Sequence, residues 1–230
     1  MDRIAENLMS VRQRMADAAA RSGRRANDIK LVAVTKYVPA EIIRRLLAAG
    51  CHDLGESRPQ ELWAKSVDSA DLSIKWHLIG HLQRNKVERT LPLVSLIHSA
   101  DSLRLIAAID RGAAELGSKV PILLEVNISG DPSKHGLDPD EVGSLLPEIA
   151  MFDHVQVRGL MAMASREGDL DSARRDFARL RKLRDRLARE LPERMSLDEL
   201  SMGMSGDFEI AIEEGATIIR VGSALFEGIG

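Results

Sequence analysis

The feature that most restricts this chain is an alternation in which eight short, mostly aliphatic runs are separated by stretches with helical spacing. The strand-like runs are residues 29–35, 52–55, 75–79, 94–98, 120–127, 155–161, 199–202 and 217–221. Helical spacing is read at 39–49, from Pro59 on, and at 85–91, 102–116, 139–151, 170–190 and 207–214. Leu31, Val32, Ala33 and Val34 carry no alternating polar residue, so that run reads as a strand buried on both faces. Strands separated by helices pair in parallel through right-handed crossovers. Eight such units at this length predict an α/β fold, a single (β/α)8 TIM barrel. A further helix at 2–22 precedes the first strand and ends near Gly23, whereas almost no chain follows the last strand. The N-terminal helix is therefore expected to cover the gap left by a short or missing eighth helix.

A hydrophobic content of 44% in 230 residues supports one sizeable core. No Pro/Gly/Ser-rich linker interrupts the chain, so residues 1–230 read as one domain. The net charge of -3 and 3% aromatic content give no general attraction to nucleic acid or anionic lipid. The arginines of the 170–190 helix are interspersed with Asp176, Asp185 and Glu190, which reads as a solvated face with i,i+4 pairs. Its apolar positions, Leu170, Ala173, Phe177, Leu180, Leu183, Leu187 and Leu191, recur every three or four residues. Cys51 is the only cysteine, which excludes an internal disulfide and Cys-rich metal sites, and it reads as a small buried residue. The opening MDRIAENLMSVRQRM is charged throughout, and no run reaches the ~20 apolar residues that span a bilayer. A soluble cytoplasmic protein is expected, without nucleic-acid or membrane partners. A monomer is the simplest expectation, since no large apolar face is evident.

Barrels of this type carry their site at the C-terminal ends of the strands. Those ends bring Lys36, GES with Gly55 and Glu56, IGHLQ with His81 and Gln83, HSAD with His98 and Asp101, VNIS, MAMAS, GMSGD and RVGSALF. Phosphate often binds between the loops after strands seven and eight. There Ser205 and Gly206 lie where a helix starts, and Gly222 with Ser223 closes strand eight. Free amides and hydroxyls at those places suit one anion. Taken singly, Ser205 reads equally as an N-cap and Gly222 as a turn. Pro39 and Glu41 mark the helix start just after Lys36, so the lysine stands at a strand end, facing the phosphate site across the barrel top. Amine plus phosphate pocket is the pairing that pyridoxal 5'-phosphate (PLP) requires. The amine must be neutral to attack, so its value of roughly 10.4 has to fall. Arg220 is a second lone charge in an aliphatic run, TIIRVGS. It either faces inward or pairs with an acid such as Glu209 or Glu213, and composition leaves both open.

VAVTKY, GES..QEL, WHLIGHLQRNK, HSAD, VNISGDPSKHG, RGLMAM, LSMGMSGDFEIAI and RVGSALFEG, in this order from Leu31 to Gly228, resemble the YggS/PROSC-type pyridoxal phosphate homeostasis proteins. The resemblance implies a barrel like the alanine racemase N-terminal domain, with Lys36 holding the cofactor as a Schiff base. It implies that Ser205, Gly222 and Ser223 hold the phosphate and that Arg220 meets the pyridine nitrogen. Ser57 stands where the family usually has Asn, so a contact near the ring is lost or water-bridged. An arginine at the pyridine nitrogen disfavours its protonation and weakens the electron sink. The only tyrosine, Tyr37, adjoins Lys36, and no second domain follows to supply a base on the opposite face. His81 or His98 is the remaining candidate for that role. The reading is thus a PLP carrier or buffer that contacts PLP-dependent apo-enzymes transiently, with little or no catalysis. An amino-acid racemase or lyase using the same Schiff base is the alternative, and a phosphosugar isomerase or synthase of the same fold would be colourless. In the loop at 133–136, Lys134 is expected to face solvent.

Overall fold

A computed structural model describes residues 2–131, 135–165, 168–193 and 195–229. Eight parallel strands close into a barrel in chain order. They are β1 (Lys30–Val34), β2 (Asp53–Glu56), β3 (Lys75–Leu78), β4 (Leu96–Ala100), β5 (Val120–Glu125), β6 (Val155–Met161), β7 (Glu199–Ser201) and β8 (Ile218–Val221). Closure pairs β1 with β8, with Ala33 opposite Val221. Lys36 therefore stands beside the end of β8 and not across the mouth from it, which corrects the sequence-based placement.

The helices are α1 (Arg3–Arg21), α2 (Ala40–Ala48), α3 (Pro59–Asp68), α4 (Val87–Thr90), α5 (Leu103–Glu115), α6 (Val142–Ile149), α7 (Leu170–Leu187) and α8 (Phe208–Glu213). Asp2 caps α1 by accepting from the Ile4 amide. At the other end Gly23 takes φ 69°, and Arg24 donates back to the Ala19 carbonyl at 2.8 Å. The buried face of α1 (Ile4, Leu8, Val11, Met15) packs against α8, α2 and the 3-10 turn Ser223–Leu225 that follows β8. It fills the place of the absent eighth outer helix, and Asn7 ties it there through the Leu225 and Glu227 carbonyls at 3.1 and 2.9 Å.

α7 buries Phe177, Leu180, Leu183 and Leu187, each side chain stabilising the fold by about 1.5–3 kcal/mol. Its arginines pair both along their own helix, Arg179 with Asp176 and Arg184 with Asp185, and with the neighbouring one. Arg174 reaches Glu213 and Glu214, and Arg181 reaches Glu214 at 3.1 Å. Cys51 is buried, and burial pushes its thiol up to about 11. Among the described residues, no helix is long and apolar enough to cross a membrane.

Inside the barrel, Val32, Leu96, Leu123, Met161 and Ile218 form a cluster distinct from the apolar layer between strands and helices. The interior is not purely aliphatic, however, since His77, His98, Ser201 and Arg220 are all buried. β4 runs on to Ala100, two residues past the expected end, because His98 and Ser99 both find partners. The Ser99 hydroxyl donates to the Gly80 carbonyl at 2.7 Å.

Candidate functional site

The end of β1 is fixed from below. Thr35 Oγ1 donates to Glu56 at 2.7 Å, and Lys65 Nζ donates both to the Thr35 carbonyl at 2.7 Å and to Glu56 at 2.6 Å. Glu56 is fully buried and the Lys65 side chain nearly so. The Val38 amide then closes a β-turn onto the Thr35 carbonyl at 2.9 Å, with Lys36 and Tyr37 at its centre. Tyr37 takes φ 70°, the sign a type II turn requires at that position and one that a bulky residue rarely adopts. Such strain costs about 1–3 kcal/mol and is held by the surrounding bonds. Lys36 is exposed at the mouth, its Nζ 5.8 Å from the centre of the Tyr37 ring. One turn away, Gly80 lies so close to the Ser57 carbonyl that any side chain there would collide with it.

Beside Lys36, the loops after β7 and β8 meet. The amides of Gly222 and Ala224 donate to Ser205 Oγ at 3.1 and 3.5 Å. Asp207, not Ser205, stands at the N-cap position of α8, though its carboxylate accepts from the Met204 amide at 2.6 Å and from no amide of the helix, so the N-cap alternative for Ser205 does not hold. The Gly222 and Ala224 amides form a nest that turns both N–H groups onto the Ser205 oxygen, which leaves the hydroxyl hydrogen as the donor offered to an anion. Ser223 lies exposed at the start of the 3-10 turn. Arg220 on β8, and Ser205, Gly222, Ser223 and Lys36 in the segments that follow β7, β8 and β1, thus lie at three consecutive strands on one side of the mouth.

Arg220 does not pair with the surface acids. Glu209 is bound by Arg14 at 2.6 Å, and Glu213 by Arg21 at 2.8 Å and Arg174 at 2.5 Å. Arg220 is buried and donates to Ser201 Oγ at 2.5 Å and to the Ala162 carbonyl at 3.0 Å. Burial lowers its pKa to about 10, while Glu125 and Asp207 pull it back up, so it stays a cation at neutral pH. These two bonds occupy two of the five N–H groups of a guanidinium.

From Ser201 the bonds continue through the barrel core. Ser201 meets His98 Nδ1 at 2.8 Å, His98 Nε2 meets His77 Nδ1 at 2.9 Å, and His77 Nε2 meets Asp53 at 3.0 Å. Every tautomer along this line is forced. The Asp53 carboxylate can only accept, so a neutral His77 donates to it from Nε2 and accepts at Nδ1 from His98 Nε2. The bare Nδ1 of His98 then takes the Ser201 hydrogen, and Ser201 accepts from Arg220. All donors point from Arg220 toward Asp53 at the opposite mouth. Burial holds His98 well below the usual histidine range and lowers His77 as well, so both rings are neutral. Burial raises the Asp53 carboxyl, but the His77 bond and the nearby Lys30 and Lys75 outweigh it and hold the carboxyl below its usual value. With both ring nitrogens engaged in the core, His98 serves this chain and is not placed as a second base.

Glu125, at the end of β5, is a residue the sequence reading passed over. It is buried, and burial followed by the charge of Asp101 pushes its carboxyl up to about 7, against the pull of Arg220 and His81. LLEVN carries the same signal as VAVTK, a lone charge near the end of an aliphatic run. Asp53 and His77 were missed for another reason, because nothing local marks them. Ser133 and Lys134 lie outside the described residues.

The chain matches the family of the alanine racemase N-terminal domain over residues 1–229. A protein of Aquifex aeolicus (strain VF5) named pyridoxal phosphate homeostasis protein is 41% identical over 221 residues, with 96% of each chain covered. PipY of Synechococcus elongatus PCC7942, solved with PLP bound, superposes with a TM-score of 0.86 at 38% identity, over 97% of this chain and 99% of that one. An alanine racemase of Clostridium difficile 630 shares the fold, with a TM-score of 0.74 at 14% identity over 98% of this chain and 56% of that one.

Proposed function

Because the chain belongs to the pyridoxal phosphate homeostasis proteins of the alanine racemase N-terminal domain family, we propose that it binds PLP and takes part in intracellular vitamin B6 homeostasis. The observation that carries this reading is the convergence of the Gly222 and Ala224 amides on Ser205, beside Lys36 and two residues beyond a buried arginine. The donor set fits the cofactor. Ser205, Gly222 and Ser223 would hold the phosphate, Arg220 would meet the ring nitrogen with one of its remaining N–H groups, and Lys36 would supply the amine. When bound, PLP supplies an aldehyde with which amines condense reversibly.

Arg220 sets the limit on chemistry. A permanent cation at the ring nitrogen disfavours protonation there, so the site stabilises substrate carbanions weakly. Carriage and delivery suit it better than turnover. A racemase or lyase reading has one observation on its side, the Glu125 carboxyl with a pKa of about 7 in the neighbourhood of Arg220, a value suited to a general acid or base. The two separate in one experiment. PLP-loaded protein is expected to restore activity to a PLP-dependent apo-enzyme while showing no sustained turnover of a panel of amino acids. Sustained racemisation or elimination that Lys36→Ala abolishes overturns the non-catalytic reading.

The same proposal includes a monomer built as one PLP-binding domain over residues 1–230, transient contacts with recipient apo-enzymes, and a cytoplasmic location. The unpaired buried thiol of Cys51 is consistent with a reducing compartment.

A further inference from the structure

Three successive strand ends carry a side-chain cluster that the proposed function does not use. His81 follows β3, Asp101 follows β4, and His135 lies in the loop after β5. His81 Nδ1 lies 2.9 Å from Asp101 Oδ2, and His135 Nδ1 lies 3.8 Å from the same oxygen. One ligand atom from each of the three lies within 4.8 Å of the others, the only such grouping of three among the described residues. The two imidazoles stack with centroids 4.4 Å apart. The Asp101 side chain is largely buried, and its other oxygen accepts from the Ser102 hydroxyl at 3.2 Å. An outer bond of that kind holds a carboxylate ligand in orientation.

We propose that His81, Asp101 and His135 form a binding site for a divalent transition metal of the Zn2+ class, with one coordination position left open. Tetrahedral zinc at about 2.0–2.1 Å from its ligands sets those ligands about 3.3 Å apart, and the two separations from Asp101 Oδ2 bracket that value. Two imidazoles and one carboxylate select zinc and its late first-row neighbours over Mg2+ and Ca2+, which take all-oxygen shells. Both histidine side chains are well exposed, so they turn toward a shared ion without disturbing the core. His81 and Asp101 also line a cavity of about 550 Å3 that Arg84 and Arg104 flank. The open position faces water or a small anion admitted by that cavity. Metal bound here staples together three loops of the barrel mouth, away from the β7, β8 and β1 side where the phosphate nest lies.

The site stands independently of the cofactor reading, and its test leaves that reading untouched. Full-length protein as purified, freed of metal by chelator and then of chelator by gel filtration, is titrated with Zn2+ alone by calorimetry. One equivalent is expected to bind. His135→Ala is expected to weaken binding at least about tenfold, and Asp101→Asn to abolish it. His154→Ala, which removes another exposed histidine beside an acid, is expected to bind as the parent does. Absence of stoichiometric binding to the parent, or a His135→Ala variant that binds equally well, overturns the proposal.

Discussion

Arg220 is held by its neighbours more than by any counter-charge. Its bonds run to a hydroxyl and a carbonyl, and behind the hydroxyl a one-way line of donors ends at Asp53. Reversing that line would set a bare His77 Nε2 against the Asp53 carboxylate, two acceptors face to face, so its donors keep one direction. Glu125 is the opposite case, an acid held partly neutral. Its carboxyl value rises from 4.5 in the unfolded chain to about 7 in the folded one. A raised value means that the folded state binds the proton more tightly. The associated stability is fully present below about pH 4.5 and is lost as pH rises through 7. Glu125→Gln removes that dependence. In chelator-treated protein it is expected to unfold at higher denaturant than the parent at pH 8, by up to ~3 kcal/mol, with the gap closing near pH 4.5. Denaturant midpoints measured across this range check the prediction, and a gap that does not change with pH contradicts it.

At the scale of the element, the β1 terminus explains how an exposed lysine is given a fixed position. Glu56 and Lys65, from β2 and α3, grip both oxygens of Thr35 and so anchor the turn that carries Lys36. Removing one member of a buried pair leaves the other uncompensated, at about 3–5 kcal/mol. Lys65→Met is therefore expected to lose stability of that order in urea unfolding and to weaken PLP binding, although Lys65 does not line the mouth. A loss below about 1 kcal/mol would show that the grip is dispensable. This clamp was not legible beforehand, because Lys65 read as one more polar position of an amphipathic helix. Lys36 and Arg220 both stood out as lone charges at aliphatic runs, VAVTK and TIIRV, but only Arg220 is buried, and the pattern did not say which way either side chain faced. His98 was misplaced at a strand end because aliphatic character stops at Ile97, while its partner Ser201 lies far along the sequence. Pattern marks where a charge is out of place, but it does not say which distant group answers it.

For the whole molecule, the eight-fold alternation was enough to give the barrel, its closure and the substitution of α1 for the missing outer helix. The last of these followed from chain order alone, since only the N-terminal helix was unassigned. Closure also concentrates the proposed cofactor site. β7, β8 and β1 are neighbours only because the barrel closes, and that adjacency brings Lys36 next to Gly222 and the nest around Ser205. The opposite half of the mouth is left to Glu125 and the histidine cluster. The proposed function turns on one amine, at the end of β1, that holds the vitamer. Protein loaded with PLP, reduced with borohydride and digested is read by mass spectrometry for the residue that carries the pyridoxyl group. Lys36 is expected to carry it in the parent, with no labelled peptide from Lys36→Ala; a label on another lysine, or an unlabelled Lys36, rules the assignment out.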